Sequence, residues 1–197
     1  MKHLVALTAL AATAIAPTLA HAAMDTSNPV HPLIGIAITG GGDKLASVEF
    51  RDGGSRDITA GGLVQVWGGV EYREQGSPFA FQGTFGYHFD NTSADNGSQR
   101  FERFPLELIA LYSFDPKFRI GVGARYAASA KFKSSGAGDV GDFNFKSQIA
   151  PLLMGEWLIT PSVGVQLRFV DEKYKVKGVS DVTVDGSHGG LGFNYYF

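Results

Sequence analysis

The 197 residues contain no cysteine. Disulfides, cysteine-based metal sites and a lipid-modified N-terminal cysteine are thereby excluded. An excess of one charge is also missing: 17 basic residues against 19 acidic ones leave a formal net charge of −2. Nothing in that balance points to a nucleic-acid partner. Beyond the first two dozen residues, no stretch approaches the roughly 20 apolar residues of a membrane-spanning helix. Two residue classes are abundant instead. Glycine numbers 26, and aromatic side chains make up 12% of the chain.

The N-terminal stretch sets the compartment. Lys2 and His3 precede the apolar run "LVALTALAATAIAPTLA", which closes on the small-x-small signal Ala20-His21-Ala22. This is the three-part layout of a secretory signal peptide, and Pro17 argues against a retained anchor. The expectation is that residues 1–22 are cleaved and that 23–197 form one domain. Lys2 leaves with the signal, so the mature balance is 16 minus 19, or −3.

The mature sequence breaks into eight segments of alternating character, the pattern of strands whose two faces see different surroundings. "LIGIAIT" carries Ile34, Ile36 and Ile38 on one face. "GLVQVWGGVEYR" sets Val64, Val66, Val70 and Tyr72 against Gln65, Trp67, Glu71 and Arg73. "FAFQGTFGYHF" opposes Phe79, Phe81, Phe85, Tyr87 and Phe89 to Gln82, Thr84 and His88. "RFPLELIALYS" has Phe104, Leu106, Leu108 and Tyr112 opposite Arg103 and Glu107, with Ile109 and Leu111 blurring the inner row. "FRIGVGARYA" places Phe118, Ile120, Val122 and Tyr126 opposite Arg119 and Arg125. "FNFKSQIAPLLMGEWLI" reads as Phe143, Phe145, Ile149 and Trp157 against Asn144, Lys146, Gln148 and Glu156, with a bulge or weak pairing expected at Pro151. "SVGVQLRF" sets Val163, Val165, Leu167 and Phe169 against Gln166 and Arg168. The eighth, "GGLGFNYYF", has Leu191, Phe193, Tyr195 and Phe197 on one side, with Asn194 and Tyr196 on the other.

The connections alternate too. "EQGSP", "DPK" and "TP" are short, whereas roughly 40–61, 90–99, 129–142 and 171–185 are long. Short turns at one end and long loops at the other are the layout of an up-and-down barrel in the bacterial outer membrane. A soluble sandwich would have to bury the aromatic rows inside a core of about 175 residues. The lumen of an eight-stranded barrel is too narrow for those rows. The aromatic rows therefore face lipid and the glycine-rich polar rows face inward. The fold class expected is all-β: an eight-stranded antiparallel up-and-down transmembrane β-barrel, with short periplasmic turns and longer extracellular loops.

On these residues the chain resembles the small outer-membrane barrels of the OmpA/OmpX type. The row Leu191, Phe193, Tyr195, Phe197 resembles their C-terminal signal. The stretches "GGDKLASVEFRDGG", "RFPLELIALY" and "DGSHGGLGFNYYF" are similar to an uncharacterised family of Gram-negative surface barrels. The resemblance implies localisation in the outer membrane after export, contact with outer-membrane lipid and lipopolysaccharide, and recognition of the terminal row by the barrel-assembly machinery. A monomer is expected, and no cofactor or metal is implied.

The inner rows hold a set of mixed charges: Glu71, Arg73, Arg103, Glu107, Arg119, Arg125, Lys146, Glu156 and Arg168. In a narrow lumen such charges must pair, because a buried charge stripped of its partner costs about 3–5 kcal/mol. A structural network is expected, with Glu107–Arg125 as its central pair and Glu156–Arg168 as a second. A gated polar path is the alternative. Lipid A deacylases carry a His-x-Ser arrangement with base and nucleophile on one strand face. Here Ser187 and His188 are adjacent and point to opposite faces, and His88 is followed two residues later by Asp90, not by a serine. A non-enzymatic structural or surface-loop role is therefore expected. The alternatives are a narrow conduit for small polar or amphipathic molecules and, more remotely, a lipid A-modifying barrel enzyme. The loop "DKLASVEFRDGGSRDITAG" reads as a hairpin, expected to stand beyond the membrane as an exposed ribbon.

Overall fold

The computed structural model describes residues 28–49, 54–94, 97–136, 139, 141–178 and 182–197. The expected signal peptide lies outside them, as does the tip of the first loop. Thirteen strands follow in chain order: β1 (Val30–Gly40), β2 (Lys44–Glu49), β3 (Ser55–Thr59), β4 (Leu63–Tyr72), β5 (Phe79–Ala94), β6 (Gly97–Ser113) and β7 (Phe118–Gly136). After these come β8 (Phe143–Ser147), β9 (Ile149–Thr160), β10 (Val163–Val170), β11 (Lys173–Val176), β12 (Thr183–Asp185) and β13 (His188–Tyr196).

Eight of these strands close a ring. β1, β4, β5, β6, β7, β9, β10 and β13 pair in that order, all antiparallel, and β13 returns to β1 with Ile36 opposite Phe193. The chain is thus a closed eight-stranded up-and-down barrel. Closure satisfies the backbone of every stave without an edge, which is what hydrocarbon requires of a spanning sheet.

The outer surface is apolar around the ring. Ile38, Leu108, Ile149 and Leu167 are 68–76% exposed, although each sits within a regular ladder. Aromatic rings flank this band. Phe79 and Tyr112 approach at 5.3 Å, and Phe118 and Trp157 at 6.3 Å, beside the short turns. Tyr87, Phe89 and Phe104 cluster towards the long loops, at 5.1 Å from Tyr87 to each neighbour. Two aromatic girdles around an apolar belt are the exterior of a transmembrane barrel. The short turns are tight: Ser77 N donates to Glu74 O across Gly76, and Phe118 N donates to Asp115 O.

Inside, small residues make room for large ones. A methyl group on Gly35 would overlap the Trp67 indole, and one on Gly164 would overlap the Glu156 carboxylate. Bulky groups at these two inward positions would evict the side chains that fill the lumen.

Three expectations are corrected. The sixth segment is two strands, and the inside–outside parity resets at Gln148. Phe145 and Ser147 point inward from β8, while Ala150, Leu152, Met154 and Glu156 point inward from β9. Lys146 is therefore exposed on the outside, not part of the interior network, and Gln148 and Asn144 are exposed too. Pro151, expected to carry a bulge, sits in an unbroken ladder opposite Ala124, its carbonyl accepting from Asp171 N at 3.1 Å. The irregularity falls three residues earlier because β8 leaves the stave to join β11 in an upper sheet, where Tyr174 faces Ser147.

The third correction concerns the first long loop. β2 and β3 do pair as a hairpin, with Ser47 opposite Asp57. The ribbon does not stand free, however. Its Ile58 and Ala60 are buried in a cluster with Phe101, Phe132, Phe145 and Tyr174. These inward groups come from β6, β7, β8 and β11, so the hairpin docks on the hydrophobic upper end of the barrel as a cap.

Candidate functional site

Inward-facing residues from every stave but β1 form two charged networks in the lumen. The lower one, nearer the short turns, is centred on Arg119 of β7. Its guanidinium reaches Glu71 at 2.9 Å and Glu156 at 2.5 Å, from β4 and β9. Tyr196 Oη accepts from Arg119 at 2.5 Å and donates to Glu156 Oε1 at 2.7 Å. Gln82 Nε2 donates to Glu71 at 2.7 Å, and Trp67 Nε1 donates to Asn194 Oδ1 at 2.9 Å. Arg73, at the rim just past β4, adds a 3.2 Å pair to Glu71.

The upper network is a chain of alternating charge. Arg168 of β10 meets Glu107 Oε2 at 2.5 Å, and Arg125 meets Glu107 Oε1 at 2.8 Å. Arg125 Nε donates on to Glu172 Oε1 at 3.3 Å, and Arg103 lies 3.9 Å from Glu172 Oε2. Gln65 bridges within it, accepting from Arg125 at 2.9 Å and donating to Glu107 at 3.2 Å. The cations also lie on rings: Arg168 over Trp67 and Arg103 over Phe101, each at 4.8 Å. Such stacking satisfies guanidinium faces that have no hydrogen bonds to give.

The expected Glu107–Arg125 pair is present, on directly opposed positions of β6 and β7. The expected Glu156–Arg168 pair is not. In the β9–β10 ladder Glu156 stands opposite Gln166, and Arg168 stands opposite Met154. Glu156 instead pairs with Arg119, directly opposite it in the β7–β9 ladder, while Arg168 reaches across the lumen to Glu107. Glu172 and Tyr196 are central participants that the sequence reading did not select. Continuing the alternation Gln166, Arg168, Val170 by two would have reached Glu172, which lay inside a stretch read as loop.

A histidine pair occupies the upper lumen. His88 and His188 pack at 5.0 Å between ring centroids. Arg125 Nη2 lies 2.9 Å from His88 Nδ1, and Thr39 Oγ1 lies 2.8 Å from Nε2. Arginine can only donate, and both nitrogens of His88 face a guanidinium, Arg125 at Nδ1 and Arg103 at Nε2. Arg103 Nη2 lies 3.2 Å from that Nε2, which it shares with Thr39. The hydroxyl–imidazole pair has a cation where a hydrolytic triad places a carboxylate, the reverse of what draws a proton from a nucleophile.

The two ends of the lumen differ. At the long-loop end, Ile58, Phe101 and Tyr174 are fully buried. Burial also pushes the Tyr174 phenol above its ordinary pKa. Asp90 ties the hairpin down, accepting from Thr59 N at 3.0 Å and facing Arg56 at 3.8 Å. At the short-turn end a cavity of about 590 Å³ opens among His31, Arg73, Glu74, Lys117, Leu158 and Pro161.

No protein-family model matches the chain, and no curated protein matches it. Among solved structures the chain is similar to Ail, the attachment invasion locus protein of Yersinia pestis, in complex with the heparin analogue sucrose octasulfate. Identity there is 15%, with 85% of this chain and 97% of that one covered, at a TM-score of 0.49. It is also similar to Neisserial surface protein A, with 14% identity, 86% and 98% coverage and a TM-score of 0.46. A de novo designed transmembrane β-barrel matches at 11% identity, 86% and 98% coverage and a TM-score of 0.39.

Proposed function

We propose that this chain is a non-enzymatic outer-membrane barrel with a permanently filled lumen, acting through its extracellular end as an envelope or surface-interaction protein. The observation that carries the reading is the plug. Arg103, Arg119 and Arg125 are each at most 1% exposed and each faces a glutamate, beneath a hydrophobic cap closed by Ile58. Breaking such pairs to admit a solute costs about 3–5 kcal/mol each. Thr39–His88, with Arg125 on the far nitrogen, supports the non-enzymatic side of the proposal. The apolar belt suits lipid, and the outward row Leu191, Phe193, Tyr195 and Phe197 is our candidate for contact with the assembly machinery.

A narrow conduit is the second reading, favoured by the cavity at the short-turn end. Planar-bilayer recording of the refolded protein separates the two. The filled-lumen reading expects no steady openings in the wild type. Steady openings whose conductance changes in Glu107→Ala or Arg125→Ala would establish the conduit instead.

A further inference from the structure

The outer face of the upper sheet carries lysines with too few acids around them. Parity along β7, β8 and β11 turns Lys131, Lys146 and Lys175 away from the lumen, and all three are exposed. Lys146 and Lys175 are direct cross-strand partners. Like charges in opposed positions disfavour pairing. Lys131 stands opposite Asn144, two residues along β8 from Lys146, and Lys177 N donates to Asn144 O at 2.9 Å. None of the ion pairs found among the described residues involves Lys131, Lys146, Lys175 or Lys177. Their neighbours are matched: Lys133 meets Glu102 at 2.8 Å, Arg100 meets Glu102 at 3.2 Å, and Lys173 stands opposite Asp185.

The patch has a defined height. Ile149, 76% exposed, is the first residue of β9 and lies opposite Tyr126. Leu153 opposite Val122 continues the apolar strip below them. Lys146 is three residues from Ile149, or roughly 7 Å along the membrane normal for a strand rising about 3.3 Å per residue at about 45° of tilt. The headgroup layer on each side of a hydrocarbon core is about this thick. That height matches Lys146 and its partner Lys175 to the depth of lipid phosphates, with Lys131 a little farther out, above an apolar strip suited to acyl chains.

The geometry points to this patch as a binding site for the phosphate groups of an outer-leaflet glycolipid, with the acyl chains lying along Ile149, Leu153 and Val122. The inference rests on the outer-membrane reading above. It also accounts for the opposed Lys146–Lys175 pair, since one phosphate between two ammonium groups converts repulsion into two charge-assisted contacts.

The test uses the full mature protein refolded in zwitterionic detergent and titrated with bisphosphorylated lipid A, with lipid A stripped of phosphate, with inorganic phosphate, and with a soluble heparin fragment. The variant is Lys131→Gln/Lys146→Gln/Lys175→Gln, its folding checked by the mobility shift between unboiled and boiled samples. A lysine near an anionic lipid surface is worth roughly fivefold in binding, so three supply on the order of a hundredfold. The wild type should prefer phosphorylated over dephosphorylated lipid A by that order, with the preference shrinking in high salt and lost in the variant. Equal binding of both lipids, or an unchanged preference in a folded variant, overturns the site. Lysine-dependent binding of inorganic phosphate or heparin as tight as that of lipid A overturns the assignment to a lipid. A barrel that binds lipid A as expected yet conducts in bilayers would instead overturn the filled lumen, so the two failures are distinct.

Discussion

Glu107 is the residue on which the upper network turns, because one carboxylate serves two arginines from different strands. Removing it leaves Arg168 without its ion pair among the described residues and Arg125 with Glu172 alone. Glu107→Gln should lower the unfolding free energy in detergent by about 3–5 kcal/mol, measured by urea titration. Lys146→Ala is the matching control. If Lys146 were in the lumen it would cost a comparable amount; on the exposed outer face it should stay within about 0.5 kcal/mol of wild type. Alternation along "RFPLELIALY" was enough to place Glu107 inside. It misplaced Lys146 because a period of two carries no memory across a one-residue reset such as that at Gln148.

At the scale of elements, the β2–β3 hairpin acts through docking more than through its own pairing, since a lone two-stranded ribbon is marginal in water. Ile58 is its anchor, fully buried beneath the ribbon. Ile58→Glu should undock the ribbon, seen as faster protease cleavage within 44–59, while the barrel keeps its heat-dependent mobility. Unchanged protection would mean that the ribbon does not depend on Ile58 for docking. The ribbon should also respond to acid. Lys44, at 2.8 Å, and then Ser47 hold the Asp57 carboxyl below its ordinary pKa. A group depressed in the folded state contributes stability above its unfolded pKa and loses it as pH falls through the folded value. Protection of the ribbon amides against hydrogen exchange, taken relative to their intrinsic exchange rate at each pH, should therefore fall as pH drops below the ordinary carboxylate range, and Asp57→Asn should flatten that dependence. The hairpin was legible from "ASVEFRDGGSRDIT", but its docking was not. Ile58 finds Phe101 and Tyr174 only after distant strands have been brought together.

The whole molecule is held inside out relative to a soluble domain, with charge buried and Leu, Ile and Phe outside. Val66 tests that arrangement, as it lies on the outer face of β4 between Ile36 and Tyr87. Val66→Arg should cost roughly 2–4 kcal/mol in lipid bilayers if it sits near the hydrocarbon midplane. In detergent, where the side chain can reach water, the penalty should be visibly smaller. Equal stability of variant and wild type in both media would refute the lipid-facing assignment. The ring itself explains why the first and last staves need no terminal protection: β1 and β13 pair over eight positions, from Leu33 opposite Tyr196 to Gly40 opposite Gly189.

The sequence by itself determined the number of barrel staves, the gathering of the short turns at one end and, outside the sixth segment, which residues form the outer apolar row. All three follow from local facts: alternation with a period of two, and turn residues at fixed intervals. Glu107–Arg125 was also legible, but tertiary structure decided the other partners inside. Glu156 and Arg168 lie on neighbouring strands, and proximity in sequence suggested a pair. Ladder register set them two positions out of line, placed Glu156 opposite Arg119 of β7 instead, and left Arg168 to reach Glu107 across the narrow lumen. Register and barrel diameter are properties of the closed ring. No window of residues contains them, which is why the charges could be assigned to the inside before their pairing could be known.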